Sequence, residues 1–347
     1  MGEEIEVLKL LSEIPSPPGF EHRVRTVIKD MIEDYVEELF EDSLGNLVAR
    51  IGRGSPKLML AAHMDEIGFL VRYITDDGFL KVTNLGGVNP NVAVGSKVVV
   101  LAEREDIVGV LGCVPPHLLK AEKAQISVEE LFVDIGASRK DEVLKRGVNL
   151  GTPLTFKQEF STSGNLVFGK AFDDRLGCAV LVNLAKRLRD FRNGSIYLAF
   201  TVQEELGLRG ATVAAYRIAP DVALSIEGTI AADIPGVSPE NYITSLGKGP
   251  AIRAMDRSMV ANPKLFRILI KVAEENSIPY QIQISPRSGT DAGKIQLARG
   301  GVAVSSVSVP ARYIHSPLSV ACVDDYLNAI KLLEIAIPEI LECFRSP

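Results

Sequence analysis

No run of this 347-residue chain reaches the roughly 18 apolar residues that a membrane-spanning helix needs. The amino terminus, Met1-Gly2-Glu3-Glu4-Ile5-Glu6, is acidic and lacks the basic-then-apolar order of a signal peptide. A lipidated start would want Ser or Thr where Glu6 stands. A cytoplasmic protein is therefore expected. Cysteine is scarce, and Cys113, Cys178, Cys322 and Cys343 show no paired metal-ligand spacing. They read as free buried thiols in a reducing compartment. Tryptophan is absent, which excludes nothing. Lys and Arg, 38 in all, are outnumbered by 44 Asp and Glu, and the net charge of −6 argues against a nucleic-acid partner. There is no internal repeat and no low-complexity tract.

What remains is ordinary globular material, 46% hydrophobic and 24% charged, long enough for two domains. Helical spacing covers Glu3 to Ile14 and ends at the breaker cluster Pro15-Ser16-Pro17-Pro18-Gly19. A second amphipathic helix is expected over Phe20 to Asp34. Short strands follow near 36–41, 47–51 and 57–62, so the chain opens as a layered α/β domain. Its character changes after about Glu66. Short Val- and Ile-rich runs between Gly, Asn and Pro, such as 97–101 and 107–111, indicate a small β sandwich or barrel. We place this insertion at residues 67–160, inside an α/β domain formed by 1–66 and 161–347. The α/β rhythm resumes with a helix over 175–188 and strands over 195–202 and 221–226. Asn262-Pro263 caps a helix to about Asn276. Strands near 280–284 and 301–309 precede a C-terminal helix from about Val323.

The chemistry concentrates in a few strings. His63 and Asp65 stand two apart at a strand end, so both point to one face. This suits a ligand imidazole with a carboxylate beside it, which could accept the other ring N–H or align the reacting groups. A lone histidine would more readily be a satisfied core residue, but it is not alone here. Asp173-Asp174 opens the helix at Arg175. One Asp would be a simple cap, whereas two beside an apolar helix suit a bridge between cations and a supporting carboxylate. Glu204-Glu205 ends a mostly apolar strand, where two buried carboxylates are untenable without cations or partners. Adjacent side chains point apart, so one can bind metal while the other reaches its water. They are too close together to flank a sugar ring. Glu227 closes the strand 223–226, and His315 lies just beyond the strand 302–309. All these candidates sit at the carboxyl ends of hydrophobic runs, where open α/β sheets bind ligands.

At these residues the chain resembles the TET aminopeptidases, dinuclear metallopeptidases that form tetrahedral shells. The similarity spans nearly the whole chain. It includes the strings beginning Pro15-Ser16-Pro17-Pro18-Gly19-Phe20-Glu21, Asp42-Ser43-Leu44-Gly45-Asn46, His63-Met64-Asp65-Glu66-Ile67-Gly68 and Pro115-Pro116-His117-Leu118. It continues through Lys170-Ala171-Phe172-Asp173-Asp174-Arg175, Glu204-Glu205-Leu206-Gly207, Gly289-Thr290-Asp291-Ala292-Gly293 and Arg312-Tyr313-Ile314-His315-Ser316. The resemblance implies a metallopeptidase domain with a central mixed sheet flanked by helices, and an inserted β domain for dimerisation. It implies two divalent ions per chain, zinc or cobalt first and manganese next. Asp173 would bridge them, with His63 and Glu227 completing one site and Glu205 and His315 the other. Glu204 would be the general base acting on a metal-activated water, and Asp65 the supporting catalytic carboxylate. A cis peptide is expected at Asp173-Asp174. Many members place Asp where this chain has Glu227, one methylene longer, while others have Glu.

The expected function is removal of N-terminal residues from short unfolded peptides by a homo-oligomer, dimers assembling into a tetrahedral dodecamer, with no nucleic acid and no membrane. Two alternatives share the sequence signal: a dinuclear deacylase acting on N-acyl amino acids, and a non-catalytic subunit of a mixed shell. His117 reads as structural or interfacial. Arg287, Arg312 and Lys294 lie near motifs that could face the crevice, but read first as solvated charges.

Overall fold

The structure is a computed structural model that describes residues 2–115, 117 and 125–345. The chain opens with helices α1 (Glu3–Glu13) and α2 (His22–Ile32), then strands β1 (Glu38–Glu41), β2 (Leu47–Arg53) and β3 (Lys57–His63). Strands β4 (Gly68–Ile74), β5 (Leu80–Leu85), β6 (Lys97–Leu101), β7 (Asp106–Gly112), β8 (Phe132–Asp134) and β9 (Pro153–Phe156) follow, with short helices α3 (Pro90–Ala93) and α4 (Lys140–Lys145) between them. Next come β10 (Ser161–Ser163), β11 (Leu166–Gly169), α5 (Phe172–Arg187), β12 (Gly194–Thr201), α6 (Arg209–Ile218), β13 (Val222–Ile230) and β14 (Ala251–Asp256). The chain closes with α7 (Pro263–Glu275), β15 (Gln281–Ser285), α8 (Ala292–Ile295), β16 (Ala303–Arg312), β17 (Ser319–Cys322) and α9 (Val323–Cys343).

Strands β4 to β9 close on themselves as a barrel in the order β4-β5-β8-β7-β6-β9. The inward residues alternate along each strand, as Phe69 and Val71, Val98 and Val100, Leu154 and Phe156. The remaining strands form one mixed sheet, β1-β2-β12-β3-β13-β16-β17-β11-β10, with β14 and β15 branching from β16. Its centre is parallel: β3 pairs with β12 and β13, and β13 with β16. Parallel strands covered on both faces read as continuous apolar runs, and Lys57–His63 is buried at every position after Lys57. Its side chains split by the two-residue period. Leu58, Leu60 and Ala62 join the core under α1, α2, α5, α7 and α9, while Met59 and Ala61 face α6 and α8.

Several elements depart from the sequence reading, three of them beside the site. Strand β13 does not stop before Glu227, because Gly228, Thr229 and Ile230 pair on with Val309, Pro310 and Ala311 of β16. Glu227 is therefore held inside a ladder rather than at a strand tip. Helix α6 and strand β14 carry no clear sequence signal. The first packs through Ala211, Ala214 and Ala215, too small to mark an apolar face. The second buries Arg253 and Asp256, which interrupts its hydrophobic pattern. Helix α5 has non-helical backbone at Asp173 and Asp174, so its regular turns begin at Arg175 as the sequence suggested. The peptide Asp173-Asp174 is cis.

Candidate metal centre

The shared direction of β3, β12, β13 and β16 brings their carboxyl ends to one edge of the sheet. His63 is the last residue of β3, Glu204 and Glu205 follow β12, and His315 follows β16. The α5 entry delivers Asp173 into the space between them. One Asp173 oxygen lies 3.1 Å from His63 Nε2 and the other 3.3 Å from His315 Nε2. Glu227 Oε2 stands 4.0 Å from His63 Nε2, and Glu205 Oε1 3.6 Å from His315 Nε2. Two sets of ligand atoms result, His63 with Asp173 and Glu227, and Asp173 with Glu205 and His315, each within 4.8 Å of one another. Asp173 belongs to both.

Supporting groups fix the ligands. His63 Nδ1 lies 3.1 Å from the main-chain oxygen of Asp65 and 3.6 Å from its carboxylate. The ring is thus oriented by the backbone, which leaves Nε2 facing Asp173. The Asp65 carboxylate has a further task. Its two oxygens accept the N–H groups of Glu204 and Glu205, each at 3.0 Å. Asp174 turns away from the ligands and accepts from the N–H groups of His63, Gly177 and Gly228. His315 Nδ1 lies 3.1 Å from the Gly87 carbonyl oxygen, just after β5, so the barrel helps to hold this ring. Of the eight described non-glycine residues with positive φ, Ala171, Gln203, Leu208, Tyr313 and His315 flank the site. Such backbone persists only where surrounding bonds over-determine it.

The electrostatics favour cations. Burial raises Glu205 to about 7 and Glu227 to about 8, and drives Glu204 well above the usual carboxylate range. For each of the three, neighbouring carboxylates add to the rise. Asp173 goes the other way. Burial would raise it, but hydrogen bonds to His315 and His63 hold it well below its ordinary value. His315 is raised to about 9, because Asp173 and Glu205 outweigh the effect of burial. Glu227 Oε1 is buried without a hydrogen-bond partner. A mixed imidazole–carboxylate donor set with an orphaned buried oxygen fits divalent metal ions.

All seven residues singled out in the sequence, His63, Asp65, Asp173, Glu204, Glu205, Glu227 and His315, meet here. A cavity of about 680 Å³ opens beside them. Arg287 and Lys294 line it and are exposed, in keeping with their reading as solvated charges, together with exposed Arg257 and buried Arg253. Arg312 does not line it. Its guanidinium forms two bonds to Asp233 at 2.8 and 2.6 Å. His117 is exposed, and the string 115–118 lies partly outside the described residues. Sequence reasoning assigned no part to Glu21 or Asn46, nor one of its own to Asp291, though all three lie in strings it marked. Asp291 is buried, accepts from Thr201 at 2.6 Å and is raised to about 6 by burial.

The family model for M42 glutamyl aminopeptidase matches residues 45–332. The chain is 37% identical to the lysyl aminopeptidase of Pyrococcus furiosus, over 96% of this chain and 97% of that one. Among solved structures, it superposes on an aminopeptidase of the archaeon Desulfurococcus kamchatkensis with TM-score 0.94 and 40% identity, covering 100% of this chain and 98% of the other. The TET1 peptidase of Pyrococcus horikoshii, described as assembling into a tetrahedron or a large octahedral shell, gives TM-score 0.88 and 36% identity, over 96% and 99%.

Proposed function

The chain belongs to the M42 glutamyl aminopeptidase family, and from that premise we propose that it removes N-terminal residues from short unfolded peptides with two divalent metal ions. The observation that carries this reading is the pair of ligand sets sharing Asp173. His63 and Glu227 would hold one ion, Glu205 and His315 the other, with zinc or cobalt favoured and manganese also suited to the N/O donors. When bound, such a pair supplies Lewis acidity and a nucleophilic water at neutral pH.

The chain's own groups do the rest. Glu204 stands 3.9 Å from His63 Nε2 and takes a proton from the attacking water, then returns it to the leaving amine. Asp65 holds the peptide groups from which Glu204 and Glu205 project. The cavity wall beyond the carboxylates carries Arg253, Arg257, Arg287 and Lys294, of which, among the described residues, only Arg253 has an acidic partner, Asp256. That wall favours an acidic first side chain. The inserted barrel serves dimerisation, the dimers build a tetrahedral dodecamer, and the protein works in the cytoplasm.

A panel of aminoacyl-chromogenic substrates, free and N-acetylated, tests the reading with chelator and with metals added back. Metal-dependent release from free-amine substrates, fastest for Glu or Asp, is expected. Glu204→Gln should keep its metals and lose about 10²–10⁴ in turnover. Release only from acylated substrates, or a Glu204→Gln variant as fast as the parent, would overturn it.

A further inference from the structure

Two strings marked in the sequence, Pro15–Glu21 and Asp42–Asn46, supply none of the ligands. In the fold both reach the same place. Beyond β12, four successive peptide N–H groups each donate to a side-chain oxygen. Val202 donates to Asn46 Oδ1 at 3.0 Å and Gln203 to Glu21 Oε1 at 3.1 Å. Glu204 and Glu205 donate to the two oxygens of Asp65, both at 3.0 Å. The acceptors come from three separate segments: the residue before α2, the β1–β2 turn and the end of β3.

This turn needs outside support. Gln203 has φ 55° and Leu208 φ 62°, left-handed backbone in residues that carry a Cβ. The N–H that Glu21 accepts belongs to the first of these strained residues, Gln203, which directly precedes Glu204. Glu21 is only 4% exposed, and the same oxygen is anchored by the Gly19 N–H at 2.8 Å. Asn46 has a second task, because its amide also donates to Asp42 and to the Gly210 carbonyl at the start of α6. The Glu21 carboxylate accepts from its own loop and from the Gln203 N–H, while its main-chain oxygen accepts from the Arg25 N–H of α2.

We propose that Glu21 is a positioning residue for the reaction: by accepting the Gln203 N–H it holds the strained residue just before Glu204, and so sets where the base stands. This rests on the reading of Glu204 as the base. The role requires an acceptor oxygen at that reach, not a charge. Glutamine keeps such an oxygen and alanine does not.

The test measures kcat and KM on the best chromogenic substrate, together with amide hydrogen exchange of the segment 202–206. Glu21→Ala should lower kcat about 30- to 100-fold, with KM moving less than about threefold. Exchange at Gln203 should speed up. Glu21→Gln should restore both to near the parent. Added to Glu204→Gln, Glu21→Ala should cost less than about threefold further, because it acts through the missing base. If Glu21→Ala does not fold, Glu21→Asp, one methylene short, must show the same kcat loss. Unchanged kcat in Glu21→Ala, equal losses in Glu21→Gln and Glu21→Ala, or full additivity with Glu204→Gln overturns the proposal. Loss at Glu204 with none at Glu21 removes this inference alone. A fully active Glu204→Gln removes the base assignment and this inference with it.

Discussion

Asp65 shows how one side chain can be settled by its hydrogen-bond count. It is fully buried, and each carboxylate oxygen accepts a different peptide N–H, from Glu204 and Glu205. An asparagine there would turn an NH2 group towards one of those N–H groups and leave a buried donor unpaired, at about 1–3 kcal/mol. Asp65→Asn should therefore lower the urea midpoint and also reduce kcat, because the turn carrying Glu204 moves. Equal kcat in the variant and the parent would show that Asp65 serves stability only. Glu204 and Glu205 separate by the same local logic. Their consecutive side chains diverge, so one reaches His315 while the other approaches His63.

Among elements, the approach of β13 to the α5 entry sets the spacing of the metal centre. Gly228 packs directly against the Phe172 carbonyl, and a Cβ added at Gly228 would collide with that oxygen. The same glycine donates its N–H to Asp174 at 2.8 Å. Gly228→Ala should push β13 from the Asp173 segment, destabilise the fold by about 1–3 kcal/mol and weaken metal retention. Thermal unfolding and metal analysis check both. A variant as stable and as metal-rich as the parent would mean that the two elements can shift without cost. A second element contact ties the N-terminal helix to the site. Lys170 Nζ binds both Glu66 oxygens, at 2.6 and 2.8 Å, and Arg175 donates to the Met64 and Leu11 carbonyls. This buried network locks α1 against the end of β3, beside His63 and Asp65.

For the whole molecule, the metal centre is a concentration of like charge that the fold tolerates only with compensation. With metals stripped, Glu205 and Glu227 carry folded values near 7 and 8 through burial, above their ordinary 4.5. An acid whose folded value is raised contributes stability that is present below its unfolded value and lost as pH rises through the folded one. His315, raised to about 9 from 6.5, loses its contribution in the same direction. Chelated protein should therefore melt lower at pH 9 than at pH 6.5, and added metal should raise the melting temperature by mass action. A melting temperature indifferent to chelator and metal would count against a metal centre. Assembly makes a separate prediction. A shell would admit short unfolded peptides and exclude folded proteins, with a scattering mass near twelve chains. Equal cleavage of both substrate types, or a monomer in solution, would remove the shell.

The sequence by itself determined the candidate ligands, the alternation of helix and strand around them and the β character of the insertion. Those signals are local: an apolar run, a breaker cluster, a histidine two residues from an aspartate. It also placed the candidate residues at strand ends, which holds for His63, Glu204, Glu205 and His315, though Glu227 lies within β13. Only the tertiary structure decided that Asp173 touches both histidines, that Asp65, beside the imidazole, also holds the Glu204-Glu205 peptides, and that Glu21 and Asn46 join them. The same holds for the cavity wall, where Arg253 comes from a strand hidden in the sequence by its own buried charges. These are relations between segments up to about two hundred residues apart, made when parallel strands align their carboxyl ends. No local pattern encodes which side chain of one segment will meet which peptide of another, because register and packing choose that only when the sheet closes.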